Sequence, residues 1–285
     1  MANKVVVIVD STVDLNKEHY EKYGMVVLPL IVALNGKEYK DGVDIFPDQI
    51  YEAVDGGSEL PHTAAVSSYD FEELYRPWID QGFDVVFVGI GASLSGTVQA
   101  SNIAAQELPE GRVYTVDSRC LSSGSGLVAI KACELRDQGK SAKEIFDECS
   151  EAATRVSAQF GIERLDFMAK GGRCSGFANV MARLFHIHPV LKVIDGKLIV
   201  YRKPRGRSQA FYDELINIFD EESPVEKSHI MVTSAGADKE AYDYLVSKLS
   251  ERVDPSLIHQ SRAGAVISSH CGYGTIGILY FKEKK

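Results

Sequence analysis

The sequence predicts an α/β protein built in two parts, the first a mostly parallel sheet covered by helices. Three observations carry this prediction. The β-branched runs Val5 to Val9 and Val85 to Ile90 each empty into small or hydroxyl residues and are followed by a helical pattern, the signature of strands buried on both faces in βα units. Asn35-Gly36 and Asp195-Gly196 each separate two strand-like segments, the strongest short hairpin signal. Near Thr154 to Ala158 the regular alternation of strands and helices gives way to hairpins and short strands, which sets the expected boundary between residues 1–157 and 158–285. With no repeat and no low-complexity linker, the two parts are expected to pack closely.

Taken in order, Val5 to Val9 reads as a strand ending at Asp10-Ser11-Thr12, and Asp14 to Tyr23 as the helix that follows. Met25 to Leu34 and Lys37 to Tyr39 form an antiparallel excursion. Pro47 to Val54 is a short helix opened by proline and closed by Gly56-Gly57, and Leu60 to Ser68 a loop. Phe71 to Gln81 is helical, Asp84 to Ile90 a strand, Ser95 to Leu108 a helix and Arg112 to Val116 a strand. Gly124 to Gln138 and Ala142 to Thr154 are amphipathic helices. In the second part, Ser157 to Ile162 is strand-like, Gly171-Gly172 breaks a short helix and Ala178 to Phe185 is helical. Pro189 to Ile194 pairs with Lys197 to Tyr201. Ala210 to Phe219 and Lys239 to Leu249 are helices, while His229 to Ser234, Leu257 to Gln260, Ala265 to Ser268 and Ile276 to Phe281 are strands.

Composition narrows the function. A net charge of −9 argues against a duplex nucleic-acid partner, because phosphate neutralisation supplies most of that affinity. Five scattered cysteines without a C-x-x-C pair read as free thiols in a reducing compartment. Lys4 is followed by only five apolar residues before Asp10, too few for a signal-peptide core, and Met25 to Leu34 is about half a membrane span, so no membrane insertion and a cytoplasmic location are expected.

In parallel sheets ligands bind at the carboxyl ends of strands, and here those ends carry Asp10-Ser11-Thr12, Ser93 to Thr97 and Asp117-Ser118. A helix starting at Ser95 would offer free N–H groups and a positive dipole end to a phosphate or carboxylate; equally, Ser95 could serve only as its cap. Asp10-Ser11-Thr12-Val13-Asp14 invites a phosphatase reading with Asp10 as nucleophile, although Thr12 stands where an acid is wanted. Gly91-Ala92-Ser93-Leu94-Ser95 approaches a nucleophile elbow around Ser93, with His270 available to a triad, but Ser95 replaces the second glycine. Neither a P-loop nor a dinucleotide fingerprint is present, so no cofactor is expected. His186 and His188 lack nearby carboxylates, so no metal is expected either.

These pieces together resemble the DegV family, bacterial fatty-acid-binding proteins that include the FakB carriers. Its D-S-T-x-D-L strand end appears as Asp10 to Leu15, its P-x-T-S-Q-P-S loop as Pro61 to Ser67, and its S-S-x-L-S-G-T turn as Gly91 to Thr97. V-D-S is Val116-Asp117-Ser118 and K-G-G-R is Lys170 to Arg173. K-x-R is Lys203-Pro204-Arg205, and T-H-x-G-P-G is Ser269 to Gly274. The chain departs from the pattern at Ala64-Ala65-Val66, Gly91-Ala92, Tyr273 and His188, so several hydroxyl or amide donors are replaced.

The resemblance implies two α/β domains: an N-terminal domain (1–157) carrying the head-group loops, and a C-terminal domain (158–285) with a mixed sheet and an acyl-chain tunnel. It implies a carrier without catalysis of its own, which presents the carboxylate of a long-chain fatty acid to a partner fatty-acid kinase for phosphorylation to acyl phosphate. By position, Thr63, Ser95 and His270 would hold the carboxylate. Lys170, Arg173, Arg202, Lys203 and Arg205 are candidate contacts to the kinase or its nucleotide, or else a solvated flank. The rival reading is a small-substrate phosphatase or esterase using Asp10 or Ser93.

Overall fold

The computed structural model describes residues 3–174, 177 and 188–284. The helix expected over 178–185, and His186, lie outside the described residues.

Strands β1 (Lys4–Asp10), β2 (Val26–Leu28), β6 (Phe83–Gly89) and β7 (Val113–Asp117) form a sheet in the order β2-β1-β6-β7, with every pairing parallel. The β-branched runs are explained by burial on both faces. Val7, Val9, Val86 and Val88 face a core shared with the second sheet, while Val6, Ile8, Val85 and Phe87 face a separate core under helices α3 (Ser68–Asp80) and α4 (Thr97–Gln106). The expected excursion is present but divided: β2 joins the parallel sheet, and after Pro29-Leu30 the chain makes β3 (Ile31–Leu34) and β4 (Lys37–Lys40), antiparallel across Asn35-Gly36. Asn35 (φ 52) and Gly36 (φ 75) are both left-handed, as this tight turn demands.

The second sheet has the order β10-β9-β8-β13-β11-β12, built from β8 (Val156–Gly161), β9 (Val190–Ile194), β10 (Lys197–Arg202), β11 (Val225–Ala235), β12 (Ile258–Arg262) and β13 (Thr275–Lys282). Only β11 with β12 is parallel, so the sheet is mixed. Its strands also alternate between two cores. Leu279 and Phe281 of β13 face the parallel sheet, and Ile276, Ile278 and Tyr280 face α8 (Gln209–Glu222) and α9 (Lys239–Ser250).

Helix α5 (Ser123–Asp137) lies between the sheets, packed on β1 and β6 from one and on β8, β11 and β13 from the other. It is buried from Ser123 to Ile130 without a break, so the amphipathic stripe expected there is absent: both sides meet protein. Its neighbour α6 (Ala142–Ala153) does show one buried face and starts from a capping box between Ser141 and Glu144.

Four local expectations are corrected. Asp14 to Tyr23 is not one helix: Ser11–Val13 form a 3-10 turn, Asp14 is left-handed (φ 46), and α1 begins at Lys17 (Lys17–Tyr23). Helix α4 begins at Thr97 rather than Ser95. The loop after α2 (Pro47–Asp55) contains β5 (His62–Ala64), which pairs antiparallel with β3, Thr63 opposite Val32. Ala265 to Ser268 is not a strand but the start of α10 (Ala265–Cys271), for a reason that lies in the site itself.

Among the described residues no helix is long and apolar enough to cross a membrane, and no group of three His, Cys, Asp or Glu side chains is placed to hold a metal ion. His188 does meet a carboxylate remote in sequence, Glu163 at 3.0 Å. All five cysteines are free and buried.

Candidate ligand-binding site

The carboxyl end of β1 organises the site through three buried carboxylates. Asp10 spends both oxygens on backbone, accepting from Thr12 N (2.9 Å) and from Ile90 N (2.8 Å) at the end of β6. Asp14 accepts from Gly264 N at 2.7 Å and from the Ser122 hydroxyl. Asp41 accepts from Ala265 N at 2.7 Å and from Ser11 Oγ at 2.8 Å. Asp14 and Asp41 thus satisfy the first N–H groups of α10, so a segment with no cap of its own in sequence becomes helical under a clamp reaching across more than two hundred residues. Burial raises the pKa of all three carboxyls, that of Asp14 furthest, and each hydrogen bond pulls the other way.

Helix α10 carries His270 to the edge strand β5, where Nε2 lies 2.8 Å from Thr63 Oγ1. Nδ1 is buried without a hydrogen-bond partner. An orphan lone pair costs less than an orphan N–H, which assigns the proton to Nε2 and makes the imidazole the donor to Thr63. The Thr63 hydroxyl proton is then free to donate elsewhere. Burial first, and then the neighbouring Arg173 charge, lowers the His270 pKa to about 4, so the ring is neutral at pH 7. Gly171 makes this approach possible: a Cβ there would lie 2.6 Å from Nδ1.

Ser95 sits two residues before α4, its oxygen accepting from Thr97 N at 3.3 Å and lying 2.8 Å from Thr97 Oγ1. Either hydroxyl can donate in this pair, and when Thr97 donates the Ser95 proton is available to a ligand. Thr63, Ser95 and His270 all border one cavity of about 160 Å³, together with Arg173. The three are partly exposed, so this end reaches solvent, while Phe160, Met168, Leu198 and Leu279 wall it with buried apolar surface. A mainly apolar cavity with a few polar groups at one end suits a ligand that is apolar along its length and polar at its tip. The replaced donors at Ala64 and Ala65 also border the cavity. Gly91 instead packs against backbone: a Cβ would lie 3.0 Å from Cys120 O.

The basic residues are distributed unevenly. Lys170, Lys203 and Arg205 are exposed. Arg173 borders the cavity while donating to Gly171 O at 2.7 Å. Arg202 is held by Glu214 at 2.5 Å and Glu221 at 2.6 Å, so its charge is largely spent within the chain. Two residues that shape the site and that the sequence did not single out are Asp41, which no motif marks, and Gly171 in its contact with His270.

The model of the family described as "Uncharacterised protein, DegV family" matches residues 4–283. This chain belongs to the DegV family. A DegV domain-containing protein of Clostridium acetobutylicum is 31% identical over 280 residues, covering 98% of this chain and 99% of its own. Among solved DegV structures, a Thermus thermophilus protein described by its fatty acid binding superposes with a TM-score of 0.91 at 30% identity, covering 98% of this chain and 100% of the other. Bacillus subtilis DegV, described as a fatty acid binding protein, gives 0.85 at 25% identity, covering 99% and 100%.

Proposed function

We propose that this DegV protein is a cytoplasmic carrier that binds a long-chain fatty acid, with the tail in the apolar cavity and the carboxylate at Thr63, Ser95 and His270. It then presents that carboxylate to a fatty-acid kinase, which makes the acyl phosphate. The observation that supports this best is the Thr63–His270 pair at the open end of a mainly apolar cavity. Two hydroxyl donors and the Arg173 charge suit a carboxylate, and each buried methylene adds about 0.8 kcal/mol. The fatty-acid-binding relatives support the same ligand class. A carrier of this kind has no catalysis of its own, and the exposed Lys170, Lys203 and Arg205 are its proposed contacts to the kinase or nucleotide.

The hydrolase reading has less support. Asp10 is fully buried with both oxygens engaged, and the Ser93 hydroxyl donates to Gly196 O in the β9–β10 hairpin. Native mass spectrometry of the purified protein is the direct test: a bound fatty acid is expected, and it is expected to be lost in a Thr63→Val, Ser95→Ala double variant that stays folded. An empty cavity that takes up no added fatty acid would sink the proposal. Turnover of generic esters or phosphates abolished by Asp10→Asn or Ser93→Ala would instead favour the hydrolase.

A further inference from the structure

A second cavity, of about 210 Å³, is polar where the first is apolar. Lys192 borders it from β9, where it alternates with Leu191 and Val193 of the inter-sheet core and so lies on the other face of the sheet. The Lys192 side chain is only 7% exposed, an uncommon burial for an ammonium. Its Nζ lies 2.9 Å from Glu222 Oε1 and 5.0 Å from the centre of the Tyr201 ring. The other oxygen of Glu222 already accepts from Ser157 and from Tyr280. Among the described residues, then, a buried group with three protons meets a single acceptor.

Two further cations border the same cavity, Arg119 and Lys282, and among the described residues neither forms an ion pair. Arg119 is also held in a left-handed conformation (φ 52), its N–H fixed at 2.8 Å by Asp117. A non-glycine residue in that region is kept there only by its surroundings. Against these three cations stand Glu222, whose oxygens are engaged, and Asp195, exposed at the hairpin tip.

We propose that this cavity binds a small oxyanion, phosphate or a carboxylate, with Lys192 at its floor and Arg119 and Lys282 at its rim. The site is separate from the lipid cavity: the two share no lining residue. Thermal unfolding of the full chain is followed while inorganic phosphate or acetate replaces chloride at constant ionic strength; the two probes distinguish a phosphate site from a carboxylate site. A saturable rise in Tm is expected with one of them. In an Arg119→Ala, Lys282→Ala variant the midpoint is expected to move to about tenfold higher anion. A Lys192→Met, Glu222→Gln variant, which leaves no buried charge unpaired, is expected to lose the response, while the lipid content seen by native mass spectrometry stays unchanged. No saturable response to either anion, or the same midpoint in the rim variant as in the parent, overturns the proposal.

Discussion

His270 is neutral because its surroundings make charging it expensive, and that has a measurable sign. Its folded-state pKa, about 4, lies below the ordinary 6.5, so the unfolded chain binds the extra proton first. The stability it contributes is complete above pH 6.5 and is lost as pH falls from there toward 4, by up to about 3 kcal/mol. The stability difference between the parent and His270→Gln, measured by urea unfolding, should therefore shift against the parent across that window; a difference independent of pH would refute the assignment. Gly171→Ala tests the same contact sterically. The added Cβ must displace the imidazole or the α7 (Leu165–Gly171) end, at about 1–3 kcal/mol, and weaken fatty-acid retention in native mass spectra more than the stability loss alone explains.

At the scale of elements, α10 is a helix because Asp14 and Asp41 hold its first N–H groups. Asp41→Ala should cost about 1–3 kcal/mol by leaving Ala265 N unpaired, and hydrogen exchange should quicken in 264–271 while β1 and β6 stay protected. Uniform loss of protection would show that the clamp is not local. The carboxyls behave oppositely to His270. With folded pKa values raised above the unfolded ones, their contribution is present at low pH and declines as pH rises through the folded values. Asp14→Asn, which does not titrate, should accordingly gain on the parent as pH increases. Helix α10 and strand β5 are also where local reading failed. Ala265 to Ser268 has no helix-start signal and too few residues for a period, and β5 has three residues on an edge.

For the molecule as a whole, α5 ties the two sheets into one core. Thermal unfolding followed by far-ultraviolet circular dichroism and by the fluorescence of Trp78 should therefore coincide, with Leu127→Ala lowering both midpoints together through a loss of about 2–5 kcal/mol. Separate transitions would mean that the sheets unfold independently.

The βα alternation, both hairpins, the mixed character of the second half and the family itself were legible in the sequence, because strand burial, left-handed turn residues and motif order are written in neighbouring residues. Thr63, Ser95 and His270 were legible as candidates through their motifs. Only the tertiary structure decided that they border one cavity, that Arg202 is spent on Glu214 and Glu221, that α5 has no exposed face, and that residues 265–271 are helical. Each of those depends on partners far away in the chain. A clamp from Asp41 to Ala265, or a glycine at 171 chosen to admit an imidazole at 270, leaves no local pattern from which it could be read.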